Sequence, residues 1–295
     1  MARMTHTTGP PPYDLAAEVP GLAAYARTTV RLHPRRGRPD VRGSHLGGRL
    51  LWPSGEPWPT CARSRYCALE PGVRMLAVVQ LTAADVGEIR FPPGTDLVQV
   101  LWCGSFHGEP DGDPESVRVY WRRAADVVRI ARQPRPDPAD HADESIPRPC
   151  VLDPERVTEY PWFEELPADV LRRLRAWRPS PALYPPEYDE VSAAPGYKVG
   201  GSMRWDGADM PTELVCTSCG APAELLIQFD TAEWSETASG QPSRWWPVED
   251  RDRTPDTATY VRVAEPTGVW YPRGGNCGVF VCSAVPGHPA RLCHN

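Results

Sequence analysis

Cys216-Thr-Ser-Cys219-Gly220 is the tightest chemical spacing in the chain. Two residues between thiols let both sulfurs reach one Zn2+ ion at about 2.3 Å, and a small residue then closes the turn. Zinc takes four ligands, so the pair is half a site. Cys277, Cys282, His288, Cys293 and His294 follow downstream. A strand ending at Cys282 would bring a third sulfur beside the turn, and the expected set is Cys216, Cys219, Cys282 and His288. Two other readings stand beside structural zinc: buried or lightly exposed free thiols, and a thioredoxin-like redox pair. The redox pair belongs at the start of a helix, whereas here Gly220-Ala-Pro leads into a strand-like run. A looser set, Cys61, Cys67, Cys103 and His107, sits in the first half.

Gln80 and Gln228 each interrupt an apolar run. A buried amide must find partners, so each either ties a neighbouring loop or faces a ligand. Both are carried as candidate binding residues with Trp52 and Trp205. Trp58, Trp234, Trp245, Trp246 and Trp270 would extend these into a groove for a peptide, or else fill core. Arg31, Arg35, Arg36, Arg38 and Arg42 form a basic stretch that reads as a solvated connector, with phosphate binding as the alternative. There is no GxSxG, P-loop, GxGxxG or HExxH motif, and no pair of histidines has i, i+4 spacing.

The elements that position these residues are short. Asp14 to Arg31 reads as a helix with an apolar stripe limited by Pro20. Val73–Leu81, Asp96–Cys103, Val117–Arg122, Ala223–Asp230 and Gly278–Cys282 read as strands, and Val151–Tyr160 as extended. Thr82-Ala-Ala-Asp85 is a capping box that opens a short helical turn. Pro167–Trp177 is the clearest helix, with Val170, Leu171, Leu174 and Trp177 on one face. Gln133–Pro149, Ser235–Pro242 and Glu249–Thr257 read as polar loops.

An internal repeat links the two cysteine sets. The first copy runs Leu46-Gly-Gly…Trp52, Pro59, Cys61, Cys67, a strand with Gln80, a capped turn, and a strand ending at Cys103. The second runs Val199-Gly-Gly…Trp205, Pro211, Cys216, Cys219, a strand with Gln228, and a strand ending at Cys282. The paired glycines permit positive φ or close backbone approach. The expected fold is α+β, mainly antiparallel sheets from two repeated sheet units, with few helices and many Pro-rich loops. The expected parts are an N-terminal helix and basic connector (1–44), a first unit (45–132), a Pro-rich linker and helix (133–196) and a second unit (197–295), in one compact body.

The same motif order resembles the YwqG-like proteins, a bacterial family of unknown function, in the variant common in high-GC actinobacteria. The carriers are LGG…WP…WPxC, DLVQVLWC, GYKVGGSMRW, the CxxCG-x-P segment, WWPVED and GVFVC. More distantly the order is similar to programmed cell death protein 2, a chaperone for a ribosomal protein. The spacing Cys61-x5-Cys67 departs from CxxCG, and no separate zinc-finger insertion is visible. The resemblance implies an α+β fold with a duplicated sheet unit and no known enzymatic activity.

Composition narrows the classes. The 295 residues include 36 Pro, 11 Trp and 9 Cys, with 32 Lys+Arg against 38 Asp+Glu. Lys198 is the sole lysine. A net charge of −6 argues against a general nucleic-acid binder. No apolar run is long enough to span a bilayer, and the first residues hold no signal-peptide core. A cytoplasmic chain is expected, in which thiols stay reduced. Together these features point to a protein- or peptide-binding module, chaperone-like or immunity-type, with structural Zn2+. The alternative is a metal- or thiol-dependent enzyme with an open site near Cys216 and Cys219.

Overall fold

The computed structural model describes residues 5–61, 67, 72–104, 116–179, 185–205, 210–234, 242–251, 257–271 and 275–295. Fourteen strands lie among them: β1 (Arg27–Arg31), β2 (Arg35–Arg36), β3 (His45–Leu46), β4 (Thr60–Cys61), β5 (Val73–Arg74), β6 (Leu76–Thr82), β7 (Leu97–Trp102), β8 (Val117–Arg122), β9 (Cys150–Val151), β10 (Glu155–Glu159), β11 (Lys198–Val199), β12 (Ala223–Asp230), β13 (Asn276–Cys282) and β14 (Arg291–His294). The α-helices are α1 (Leu15–Glu18), α2 (Ala168–Ala176), α3 (Tyr188–Val191) and α4 (Thr257–Ala264). The fold is α+β, dominated by antiparallel sheets. No helix among the described residues is long and apolar enough to cross a membrane.

The apolar runs form the central strands. Every residue of β7 and of β13 is buried, while β8, an edge strand, is half-buried beyond Val117. Met75 separates β5 from β6, so the 73–81 run is two strands. The 14–31 segment departs from its helical reading. Only Leu15–Glu18 is α-helical, Gly21 sits at φ +89, and residues 27–31 are strand. Pro20 removes a helical donor, and the glycine then reverses the chain into a sheet. The Thr82–Asp85 capping box makes a hydrogen-bonded turn, with Val86 N–H donating to Thr82 C=O at 3.0 Å and no regular helix. Helix α2 begins after Pro167 and buries Val170 and Leu174 against Leu15, Val19 and Leu22.

Two six-stranded sheets hold the molecule, in orders β10-β1-β11-β12-β13-β14 and β2-β9-β3-β6-β7-β8, with a separate β4–β5 pair. Replacing each strand of one large sheet by its counterpart in the other gives the same chain order twice: β1, β2, β3, β6, β7, β8, and then β9, β10, β11, β12, β13, β14. The bulges agree as well. Pairing of β6 with β7 slips between Ala77 and Val79, and pairing of β12 with β13 slips between Leu225 and Ile227. These are matching positions, counted back from Gln80 and Gln228. The duplication therefore reaches upstream of the Gly-Gly motifs.

The lead strands are exchanged. β1, from the segment read as helix and connector, inserts between β10 and β11 of the second unit. β9, from the segment read as linker, inserts between β2 and β3 of the first. One core then collects Val78, Val100 and Trp102 from one sheet with Ile227, Phe229 and Val279 from the other. Trp102 meets Phe229 edge to face at 5.2 Å.

Candidate metal centre

The Cys216–Cys219 turn is folded by its own backbone. Gly220 N–H donates to Cys216 C=O at 2.8 Å, and Cys216 N–H donates to Ala221 C=O at 2.7 Å. Gly220 holds φ +72, a left-handed conformation that glycine adopts without strain. Chain entry into β12 is fixed by Ala223 N–H donating to Leu214 C=O at 2.8 Å. The register of β12 on β13 sets Ala223 opposite Cys282, which delivers the third sulfur to the turn. The fourth group comes from the β13–β14 connection, where His288 N–H donates to Val285 C=O at 3.0 Å.

All four predicted ligands converge. One donor atom from each of Cys216, Cys219, Cys282 and His288 lies within 4.8 Å of every other, and such a cluster could hold a metal ion. Cys219 Sγ is 3.5 Å from Cys282 Sγ, and Cys216 Sγ is 3.4 Å from His288 Nδ1. A tetrahedral ion with sulfurs at about 2.3 Å would set its ligand atoms roughly 3.8 Å apart, so only small adjustments separate this arrangement from coordination. Val285 N–H donates to Cys282 Sγ at 3.3 Å, an arrangement that favours thiolate.

The electrostatics favour thiolate at Cys216 and Cys282 but not at Cys219, whose thiol, against a lowering bond from the Ala221 backbone, is raised by Cys282 and Cys216. Desolvation works against ionising Cys216, but Ser218 and Cys219 backbone N–H groups, His288 and Cys282 bring its thiol down to about 6. Cys282 is lowered first by the Val285 N–H. His288 is raised first by Cys282 and then by Cys216. Thiolate is the metal-binding and nucleophilic form. Cys277 and Cys293, the other nearby candidates, stay out of the cluster. Cys277 is fully buried and its thiol is pushed up, chiefly by desolvation. Cys293 packs with Trp162 and Phe280.

The first unit repeats the arrangement in part. Cys61, Cys67 and Cys103 also lie within 4.8 Å of one another, all buried, with Cys67 Sγ 3.5 Å from Cys103 Sγ. Cys103 follows β7 as Cys282 ends β13. His107 lies outside the described residues.

The candidate binding residues are buried and tied into the fold. Gln80 Oε1 accepts from Leu51 N–H at 2.8 Å and from Gln99 Nε2 at 2.9 Å, and Gln80 Nε2 donates to Val41 and Gly43 C=O at 2.8 and 2.9 Å. Gln228 repeats the tie with Arg204 N–H, Ala194 C=O and Gly196 C=O. Val41, Gly43 and Leu51 correspond to Ala194, Gly196 and Arg204 at identical spacing from the Gly-Gly pairs, whose four residues all have positive φ. Neither glutamine is exposed. Trp52 and Trp205 are core residues, at 1% and 5% exposure. No continuous tryptophan groove forms: Trp234, Trp245 and Trp246 are buried, and Trp270 alone of that group is exposed.

The arginine stretch divides: Arg38 and Arg42 are exposed, as a solvated connector would have them, while Arg31, Arg35 and Arg36 are drawn into the fold. Arg31 is fully buried, 3.4 Å from Glu233 Oε1. Arg35 pairs with Asp250, and Arg36 donates to Pro266 and Glu265 C=O. His33, at φ +41, lies 3.0 Å from Glu155 and 2.9 Å from Glu233. This buried ionic layer sits where the lead strands cross between sheets, and the motif reading missed it. A signal was present. Val30-Arg-Leu-His-Pro-Arg-Arg36 matches Cys150-Val-Leu-Asp-Pro-Glu-Arg156 at Leu, Pro and the final Arg.

No family model matches the chain, and no curated protein matches it.

Proposed function

We propose that this chain is a cytoplasmic protein-binding module whose second repeat is pinned by a structural zinc ion on Cys216, Cys219, Cys282 and His288. The convergence of four donor atoms carries the reading. A bound ion would tie the turn before β12, the end of β13 and the β13–β14 connection into one unit. Catalytic zinc keeps an open position, and four protein ligands fill a tetrahedral shell, which favours a structural ion over a metal-dependent enzyme. The motif order resembles that of the YwqG-like proteins and, more distantly, of a chaperone for a ribosomal protein, and this resemblance supports a binding role.

A thiol enzyme is the second reading, because a Cys216 thiol at about 6 beside His288 has the makings of a nucleophile. Metal analysis and alkylation together separate the two. Protein purified without added metal is expected to carry zinc at this site, and Cys216→Ser is expected to lose one equivalent. Iodoacetamide should label Cys216 slowly until a chelator is added. Metal-free protein that alkylates rapidly at Cys216 would overturn the structural-zinc reading and support the thiol enzyme.

A further inference from the structure

The two repeats treat one surface differently. In the first, Leu50, Trp52, Ala77 and Leu101 form a small apolar cluster, against which Ala131 packs. The equivalent cluster in the second is Met203, Trp205, Leu225 and Phe280. Residues 129–133 lie across the first cluster as an extended segment. Ala131 N–H donates to Trp52 C=O at 2.8 Å, and Ser54 N–H donates to Arg129 C=O at 2.9 Å. The Gln133 amide then clamps the backbone beyond the Gly-Gly pair. Its Oε1 accepts from Leu50 N–H at 2.9 Å, and its Nε2 donates to Gly48 C=O at 3.1 Å.

The matching groups of the second repeat are Met203 N–H, Gly201 C=O and Trp205 C=O. Among the described residues, none of the three has a hydrogen-bond partner. Met203 is only 2% exposed, so its N–H faces the cleft and little else. Trp162 covers part of the apolar cluster. Over the rest runs a cleft of about 610 Å³ that includes Gly201, Met203, Trp205, Leu225 and Phe280. Gly48, Arg49, Leu76 and Ala77 line the occupied site of the first repeat, and their counterparts Gly201, Ser202, Glu224 and Leu225 all line this cleft.

We infer that the cleft is a peptide-binding site for an extended, glutamine-bearing segment of a partner protein, held as residues 129–133 hold the first repeat. This inference rests on the protein-binding reading above and gives it a place and a ligand class. The partner's glutamine amide accepts from Met203 N–H and donates to Gly201 C=O. The backbone N–H two residues earlier donates to Trp205 C=O. A small side chain on that same residue, in the place of Ala131, rests on Leu225 and Phe280. The first repeat supplies its own occupant, so its copy of the site is closed to partners.

The test uses the full chain and a fluorescein-labelled peptide with the sequence of residues 128–137, VRIARQPRPD. Saturable binding in fluorescence polarisation is expected, with slowed hydrogen exchange at the Met203 amide. Replacing the peptide's glutamine by alanine, or making Leu225→Arg in a chain shown to be folded by circular dichroism, should each weaken binding at least tenfold. Binding that survives both changes, or no saturable binding up to about millimolar peptide, overturns the inference. A peptide-display selection on the same protein separates this failure from that of the broader reading. Selected peptides that bind Leu225→Arg equally well would leave a protein-binding module with its site elsewhere. No selectable peptide would count against both.

Discussion

The glutamine ties give the sharpest test of how the duplicated scaffold is held. Leucine at position 80 keeps most of the side-chain volume and removes the amide. Four groups then lose a bond of 2.8 to 2.9 Å: Leu51 N–H, Val41 C=O and Gly43 C=O lose their partner, and Gln99 Nε2 keeps only Leu51 C=O at 3.0 Å. A buried group left without a bond costs about 1–3 kcal/mol, with the donors counting most because a carbonyl retains a second lone pair. Gln80→Leu is therefore expected to cost about 4–6 kcal/mol, a large share of the roughly 5–15 kcal/mol available to a folded protein. Gln228→Leu breaks three bonds of 3.1 to 3.4 Å and orphans a single donor, Arg204 N–H. Its expected cost is about 2–3 kcal/mol. Equilibrium denaturant unfolding followed by tryptophan fluorescence measures both, and an unchanged m-value confirms that stability alone has moved. A Gln80→Leu chain within about 1 kcal/mol of wild type, or a Gln228→Leu chain hurt more than Gln80→Leu, would refute the tie. It would return these amides to the role of ligand contacts, where a buried leucine costs little stability.

Other perturbations follow from the same geometry. Gly201 and Gly220 share a positive φ, but a Cβ at Gly201 would strike the Glu159 carboxylate, whereas nothing lies within 4 Å of one at Gly220. Gly201→Ala should cost more than about 3 kcal/mol and Gly220→Ala about 1, read from denaturant midpoints. Lys198 Nζ sits 2.8 Å from Glu159 Oε2 with neither side chain exposed, so Lys198→Met should cost about 3–5 kcal/mol, partly restored by adding Glu159→Gln. In acid, His6, His45 and His141 are held below their ordinary 6.5, chiefly by burial, so the unfolded chain takes up their protons first. Stability should fall as pH drops below about 6.5. Glu155, held at about 2 against desolvation by bonds from His33 and Thr8, adds a second loss between about 4.5 and 2. Titrating the unfolding free energy with pH checks both stages, and a profile flat from pH 7 to 3 would contradict them. Finally, fragments divided near residue 140 should fold only when mixed, as far-UV circular dichroism would show. Each half lacks the strand that the other inserts between its own.

Much of this architecture is legible in the residues, and the failures have identifiable causes. The strands over 97–102, 117–122 and 223–230 are contiguous apolar or alternating runs, and burial alone specifies them. Cys282 was readable as a third member because the repeat sets it against Cys103, whereas His288 was one of several downstream candidates until the β13–β14 connection brought it to the turn. The 14–31 helix failed because an apolar stripe has the same look whether Pro20 and Gly21 bend it or not. The glutamines were ambiguous for a deeper reason. An amide's partners here are backbone groups in loops far along the chain, and backbone groups carry no residue identity that a sequence could display. The ionic layer around His33 stayed hidden for a similar reason. Arginines beside prolines read as solvated until the sheet crossing places Glu233 and Asp250 against them.

The duplication also separates scaffold from function. Features kept in both repeats are those that any copy needs to fold: the Gly-Gly turns, the glutamine ties, the bulges, and the exchanged strands. The bulges, the glutamine ties and the exchanged strands lie inside the fold, while the second Gly-Gly pair also borders the cleft through Gly201. The repeats diverge at two neighbouring places. One is the cysteine cluster, closed by His288 and partly exposed through Cys219 in the second unit, and buried as a trio of thiols in the first. The other is the cleft, which residues 129–133 fill on one side only. Cys282 lies on the border between them, lining the cleft while belonging to the cluster. An ion that fixes Cys282 would also fix the end of β13, and with it the backbone that carries Phe280 into the cleft floor. On this geometry a bound ion would steady the wall of the proposed peptide site, and removing it should weaken peptide binding before it unfolds the chain.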